Sequence, residues 1–182
     1  EDQVNPKRCG HLDGKAVVDE QTATRRIRAA ADARRDPNFL IMARTDIRAV
    51  EGPQAAIDRA KALVDAGADA IFPEAMRDLA EFEAMASALD VPILANMTEF
   101  GKSDLFSVDQ LRDAGVRIVI WPVSLLRIAM GAAGRALDTL ADEGHLTSKL
   151  GEMQHRADLY DLVDYEGYSH FDTNVFNFQI DR

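Results

Sequence analysis

The chain has 182 residues, 47% of them hydrophobic and 29% charged, with a formal net charge of −10 and a sequence pI near 4.8. That length suits one domain or part of a larger one, and the acidity argues against a nucleic-acid binder, which carries a basic footprint. It leaves room for a local basic pocket that takes a small anion.

Cys9 is the single cysteine. It cannot form an internal disulfide, which points to a reducing, cytoplasmic setting. No apolar run approaches the roughly 20 residues of a membrane span, and no signal peptide is visible. The chain opens on "EDQVNPKRCGH" without an initiator methionine, so further sequence is expected upstream.

The thiol sits in "KRCGH", among Lys7, Arg8 and His11. As a lone cysteine it reads first as a small surface-loop residue. Two cations and a protonated His11 nevertheless favour a thiolate, and Gly10 lets the backbone approach a ligand closely. Zinc binding by Cys9 and His11 is disfavoured, because a structural site needs four ligands.

After Asp19, a good N-cap, residues 20–34 read as a helix that stops before Asp36-Pro37. "FLIMA" (39–43), "AIFP" (70–73), "PILANM" (92–97) and "RIVIWP" (117–122) are short apolar runs without polar alternation. They read as strands buried on both faces. Helices are expected between them at 53–66, 77–89 and 108–114. The first starts on Pro53 and ends at Gly67; the last starts with a Ser107–Gln110 capping box. A longer helix is expected over 124–142 and another over 148–163. The tail from Asp164 reads as aromatic, polar and irregular.

Strand–helix alternation with short connections implies parallel strands and right-handed crossovers. A (β/α)8 barrel and a doubly wound sheet both qualify, but no G-x-G-x-x-G follows a strand and no P-loop is present.

In parallel α/β folds the active site lies at the carboxyl ends of the strands. The apolar runs exit into Arg44-Thr45-Asp46, Glu74, Asn96-Met97-Thr98 and Val123-Ser124, with Arg127 one turn into the next helix. Singly, Arg44 fits an ion pair with Asp46, and Glu74 a carboxylate at a helix start. Asn96 and Thr98 fit turns or caps, and Arg127 and Arg156 fit helix surfaces. Jointly, parallel strands force Arg44, Glu74 and Asn96 to face one opening.

These residues carry a resemblance. "EDQVNPKRCGH", "IMARTD", "FPEA", "ILANMTEFG" and "MQHRADLY" resemble the isocitrate lyase/phosphoenolpyruvate mutase superfamily, most closely its methylisocitrate lyase branch. The resemblance runs from Glu1 to about Tyr160. It implies a (β/α)8 barrel, commonly a homotetramer with C-terminal helices exchanged between subunits. It also implies Mg2+-dependent retro-aldol cleavage of the tricarboxylate 2-methylisocitrate to pyruvate and succinate, in propionate breakdown. By position, Cys9 would be the acid that protonates the succinate carbanion, with Lys7, Arg8, Gly10 and His11 shaping its loop. Arg44 and Glu74 would meet the substrate, and Asn96, Met97, Thr98, Arg127 and Arg156 would bind it. Phe72, Ile120 and Pro122 would line a pocket for its extra methyl. Glu1 would hold the metal through water.

The superfamily's first barrel half has no counterpart here, nor do its Ser-Gly-Gly loop and the direct metal ligands. The expected organisation is a barrel half over 1–143 and an extension over 144–182, the latter, by the resemblance, exchanged between subunits. Half a barrel exposes sheet edges. The rival readings are isocitrate lyase, a substituted-malate lyase, or an inactive half-barrel that serves as an assembly partner.

Overall fold

Four short parallel strands organise the first part of the chain: β1 (Met42–Thr45), β2 (Ala70–Pro73), β3 (Leu94–Asn96) and β4 (Ile118–Ile120). The computed structural model describes residues 1–177. β1 pairs with β2 from Met42↔Ala70 to Thr45↔Pro73, and β3 pairs with β4 from Leu94↔Ile118 to Asn96↔Ile120. A parallel bridge between Ile71 and Ile93 joins the two pairs, with the Ile71 N–H donating to Pro92 O at 3.0 Å. The spatial order therefore follows the chain order without the reversal that defines a doubly wound sheet. The strands form an unclosed segment of a (β/α) barrel. Among the described residues, β1 and β4 each pair along one edge only.

Helices connect the strands: α1 (Glu20–Ala33), α2 (Arg48–Glu51), α3 (Pro53–Asp65), α4 (Leu79–Ser87) and α5 (Val108–Asp113). Their ends follow local chemistry. The Asp19 carboxylate accepts from Thr22 N, Asp78 from Glu81 N, and Ser107 with Gln110 closes a capping box. Gly67 and Gly115 adopt φ of 108° and 88° just past α3 and α5, a left-handed turn that suits glycine.

The core lies between these helices and the strands. It is built from Ile27, Ala56, Ala60, Leu63, Ile71, Phe82, Met85, Ile93, Met97 and Leu111, among others. β1 begins later than the apolar run suggests. Phe39 and Leu40 are exposed, because the ladder starts only where Ala70 supplies a partner. β1 also alternates between open and buried positions instead of being buried on both faces.

The chain divides into two compact units, one over 1–126 and one from 127 onward. The second continues α6 (Ser124–Glu143) and adds a 3-10 turn (Thr147–Glu152), α7 (Arg156–Leu162) and α8 (Tyr165–Phe176). Two sequence expectations need correction here. The stretch 148–163 is not one helix, since Met153 leaves the 3-10 turn in an extended conformation and His155 caps a new helix. The tail is helical from Tyr165 to Phe176, where apolar and aromatic side chains recur at helical spacing. The end of that tail, 178–182, lies outside the described residues. No residue from 127 to 177 is buried.

Phe82 of α4 is 1% exposed and belongs to the buried core. Phe82→Ala is expected to lower stability by about 3–5 kcal/mol, measured by urea unfolding.

Candidate functional site

The sheet register carries three polar side chains to one end of the strands. Arg44 is in β1, beside Phe72 of β2. Glu74 follows β2 directly, and its N–H extends the ladder to Thr45 O at 2.9 Å. Asn96 ends β3. The three meet: Arg44 Nη1 lies 3.0 Å from Glu74 Oε2, and Asn96 Nδ2 lies 3.5 Å from Glu74 Oε1. Glu74 is 1% exposed, so its charge depends on these partners. The Arg44 guanidinium also sits 5.0 Å above the Phe72 ring, a cation–π contact.

Asp46, which is fully buried, is the second anchor of Arg44. Arg44 Nε donates to Asp46 Oδ2 at 2.9 Å and Nη2 to Oδ1 at 3.2 Å, a bidentate fork. The bland ion-pair reading of Arg44 and its position at the strand-end cluster are thus both true. Lys15 Nζ reaches the same Asp46 Oδ1 at 3.0 Å. Burial opposes charge on Arg44, but its hydrogen bond to Asp46 and the charges of Glu74, Asp46 and Glu1 hold its pKa above the usual value. Burial likewise pushes the Asp46 pKa up, and the hydrogen bonds and charges of Arg44 and Lys15 outweigh it, so the carboxyl is held below its ordinary range.

A further buried network supports this end of β1. Asp2 accepts from Thr45 Oγ1 at 2.6 Å and from Asp46 N at 2.9 Å, and pairs with Arg59 at 3.0 Å. It fixes the segment that leads into the KRCGH loop. Val18 N–H donates to Asp2 O and Val4 N–H to Ala16 O, so residues 2–4 run antiparallel to 16–18 and the loop arches between them. Gln3 clamps the loop by exchanging two hydrogen bonds of 2.9 Å with the Arg8 backbone.

The loop lies directly on the strand-end cluster. Gly10 is buried, and a Cβ there would sit 2.3 Å from Glu74 Cγ and 2.7 Å from Arg44 Nη2. His11 Nε2 is 2.8 Å from Glu74 Oε1, and His11 Nδ1 accepts from Lys102 N at 3.0 Å. A ring nitrogen that accepts carries no proton. With Nδ1 accepting from Lys102, the geometry suits the ring form that carries its N–H at Nε2, facing Glu74 Oε1. Asn96 Nδ2 also approaches His11 Nε2 at 3.5 Å, but two donors make no bond. Asn96 Oδ1 is buried with no donor in reach.

The remaining candidates are placed as follows. Cys9 is exposed beside the buried Gly10. Lys7 pairs with Glu1 at 2.7 Å, and the Arg8 side chain lies near Gly14. Thr98 is buried, with its methyl against Gly101. Met97 is buried in the core, where its sulfur accepts from Phe106 N. Ile120 and Pro122 line an apolar groove with Trp121 and Leu125, while Phe72 lies under Arg44. Arg127 is in α6 and Arg156 opens α7, both in the second unit.

Sequence reasoning missed Lys15, Asp2 and Lys102. "EDQ" offered a signal for Asp2, as an acidic residue at a strand exit. Nothing local marks Lys15, which is 31 positions from its partner.

Among the described residues, no group of three or more His, Cys, Asp and Glu side chains is placed to hold a metal. Asp46 and Glu74 are turned to Arg44, Lys15 and His11, and only Glu1 lies at the margin, 3.7 Å from Arg44. These residues do not fit a complete Mg2+ site.

Comparison with known proteins places this geometry. The family model described as phosphoenolpyruvate phosphomutase matches residues 1–141. A probable 2-methylisocitrate lyase 2 of Corynebacterium glutamicum is 54% identical over 181 residues, covering 100% of this chain and 59% of that protein. The 2-methylisocitrate lyase of Escherichia coli is 48% identical, over 97% of this chain and 60% of its own. Among solved structures, oxaloacetate acetylhydrolase in complex with 3,3-difluorooxalacetate matches with TM-score 0.86 at 32% identity, over 98% of this chain and 61% of its own. A 2,3-dimethylmalate lyase matches with TM-score 0.84 at 31% identity, over 100% and 62%. The chain spans about three fifths of the length of these relatives.

The depressed Asp46 carboxyl fixes the sign of a pH dependence. In the unfolded chain an aspartate titrates near about 3.9, above its folded value here, so the unfolded state binds the proton first as pH falls. The Asp46 contribution to stability is full above that value and is lost as pH drops through the lower, folded one. Urea unfolding from pH 7 to 3 is expected to show this component flat above about pH 5 and falling below about pH 4. Asp46→Asn removes that acid limb and lowers neutral-pH stability by on the order of 3 kcal/mol, because it leaves buried Lys15 without its anion.

Proposed function

Because the chain belongs to the phosphoenolpyruvate mutase/isocitrate lyase superfamily, we propose that its strand-end cluster is part of a carbon–carbon lyase site that takes a small hydroxy-tricarboxylate. The reaction is retro-aldol (Claisen-type) cleavage of 2-methylisocitrate to pyruvate and succinate. The observation that carries this reading is the contact of Gly10 with Glu74 and Arg44, which sets the loop of the only thiol on the strand ends.

The unused hydrogen-bonding capacity of the cluster supports the substrate class. A guanidinium has five N–H donors. Arg44 engages one on each nitrogen, leaving one on each terminal nitrogen for a carboxylate. Asn96 Oδ1 is an acceptor in want of a donor, which a substrate hydroxyl would supply. An acceptor and a donor on one small anion describe a hydroxy acid.

In the reaction, the substrate hydroxyl gives its proton to a base and its oxygen becomes the carbonyl of pyruvate. The C–C bond breaks, and its electron pair stays on the carbon next to a carboxylate of the succinate fragment. The Cys9 thiol then delivers its proton to that carbon. Arg44, fixed by two carboxylates before the substrate arrives, holds negative charge without reorganising. Cys9 is exposed, one residue from the buried contact, so its approach requires the loop to bring Sγ inward. Relatives named as 2-methylisocitrate lyases, at 54% and 48% identity, support 2-methylisocitrate over dimethylmalate, whose lyase is 31% identical.

Self-assembly belongs to the same proposal. Leu125, Leu137, Leu162, Tyr168, Phe171 and Phe176 are exposed on α6 to α8, and apolar surface on this scale is ordinarily covered by a partner. A homotetramer with exchanged C-terminal helices would cover it.

Incubation with 2-methylisocitrate is expected to yield pyruvate and succinate in equal amounts, with isocitrate and 2,3-dimethylmalate much poorer substrates. Lack of any oxo-acid product, whether pyruvate or, from isocitrate, glyoxylate, would sink the lyase reading. Cys9→Ser is expected to lower kcat by about 10²–10⁴-fold while calorimetry still detects substrate binding; turnover within tenfold of the parent would remove Cys9 as the acid. Light scattering at micromolar concentration is expected to report an oligomer, and a monodisperse monomer would refute self-assembly.

A further inference from the structure

Lys15 is a buried cation to which the lyase reading gives no role. Its side chain is 2% exposed, and its carboxylate partner Asp46 is fully buried. The ammonium makes two contacts of different kinds. One is the ion pair with Asp46 Oδ1 at 3.0 Å; the other is a hydrogen bond donated to the backbone carbonyl of Gly10. An ion pair alone would be a structural feature. The Gly10 carbonyl makes it something else, because Gly10 belongs to the loop and follows Cys9.

The other attachments of the loop go elsewhere than Asp46: His11 Nε2 lies 2.8 Å from Glu74 Oε1. Gln3 holds its start at Arg8, and Leu12 N–H closes a turn on Cys9 O. At its far side the loop after β3 clasps it: Lys102 N–H donates to His11 Nδ1, the Lys102 ammonium pairs with Asp13, and Gly101 packs on the His11 ring. Between these ends, Lys15 is the contact that draws the loop backbone toward Asp46. Asp46 in turn holds Arg44 through both carboxylate oxygens. The position of the Cys9 backbone and the position of the Arg44 guanidinium therefore share one anion.

We propose that Lys15 is a positioning residue: its buried ammonium latches the backbone of the Cys9 loop to Asp46 and so keeps the loop seated on Arg44 and Glu74. Its consequence for catalysis rests on the lyase reading, but the latch itself is a property of the loop and is tested without substrate.

Cys9 is the only cysteine and is exposed, so a nitroxide label can be attached to the native sequence at the position of interest. Electron paramagnetic resonance well below the melting temperature is expected to show a restricted label in the parent chain. In Lys15→Met the spectrum becomes dominated by a mobile component. Lys15→Gln, which keeps a donor and loses the charge, gives an intermediate spectrum. Amide hydrogen exchange over residues 8–12 is expected to quicken at least tenfold in Lys15→Gln, with exchange in α3 unchanged; this reading stands even where Lys15→Met fails to fold. A merely structural lysine would lower the melting temperature and leave both the label spectrum and the loop exchange at parent values, and that result overturns the latch. Turnover enters neither outcome, so failure of the lyase reading leaves this test intact.

Discussion

Asp46 is where the charges of the cluster meet. It is a carboxylate with no exposed surface, and a charge in that position is tolerated only with close, well-oriented partners. Arg44 supplies two donors and Lys15 a third. Arg44 then has a nitrogen left for Glu74, itself buried and shared with His11. The sequence of dependences runs from one buried oxygen pair outward to the rim of the strands. Breaking it at Asp46 strands two cations; breaking it at Glu74 strands one side of Arg44 and the His11 proton.

This arrangement is a form of preorganisation. The guanidinium cannot rotate freely, because its Nε edge is forked onto Asp46 and one terminal nitrogen is committed to Glu74. Its remaining N–H groups point wherever those constraints leave them. His11 contributes to the same rigidity, since both ring nitrogens are committed, to Lys102 and to Glu74. Under the proposed function, an incoming anion would meet donors that are already oriented, their cost met by folding rather than by binding.

The convergence of Arg44, Glu74 and Asn96 was legible because it follows from topology alone: parallel strands in sequential order leave the core at the same end. Helix limits were legible where a cap is written into the chain, as at Asp19, Gly67 and the Ser107–Gln110 pair. What was not legible depends on contacts between distant positions. β1 starts at Met42 and not at Phe39 because its partner strand starts at Ala70, and no property of "FLIMA" encodes that. The orientation of the His11 ring turns on a backbone N–H at Lys102, 91 positions away. Tyr165–Phe176 read as irregular because Asp, Ser, Thr and Asn are frequent there, all residues with modest helix preference; its aromatic spacing carried the opposite signal.

Gly10 shows how a sequence feature can be right for a different reason. Glycine is often required where the backbone must turn left-handed, but Gly10 is not among the positive-φ residues of this chain. What it lacks is volume. A methyl at that position would overlap the Glu74 side chain at 2.3 Å and 2.5 Å and the Arg44 guanidinium at 2.7 Å, distances that real Cβ atoms do not reach. The loop therefore rests on the cluster through bare backbone, and its height above Glu74 is set by peptide contact. Any side chain there must either lift the loop, carrying Cys9 away from the strand ends, or push Glu74 and Arg44 out of register with Asp46. Both movements act against the same buried anion, which makes the absent side chain at Gly10 part of the electrostatic design.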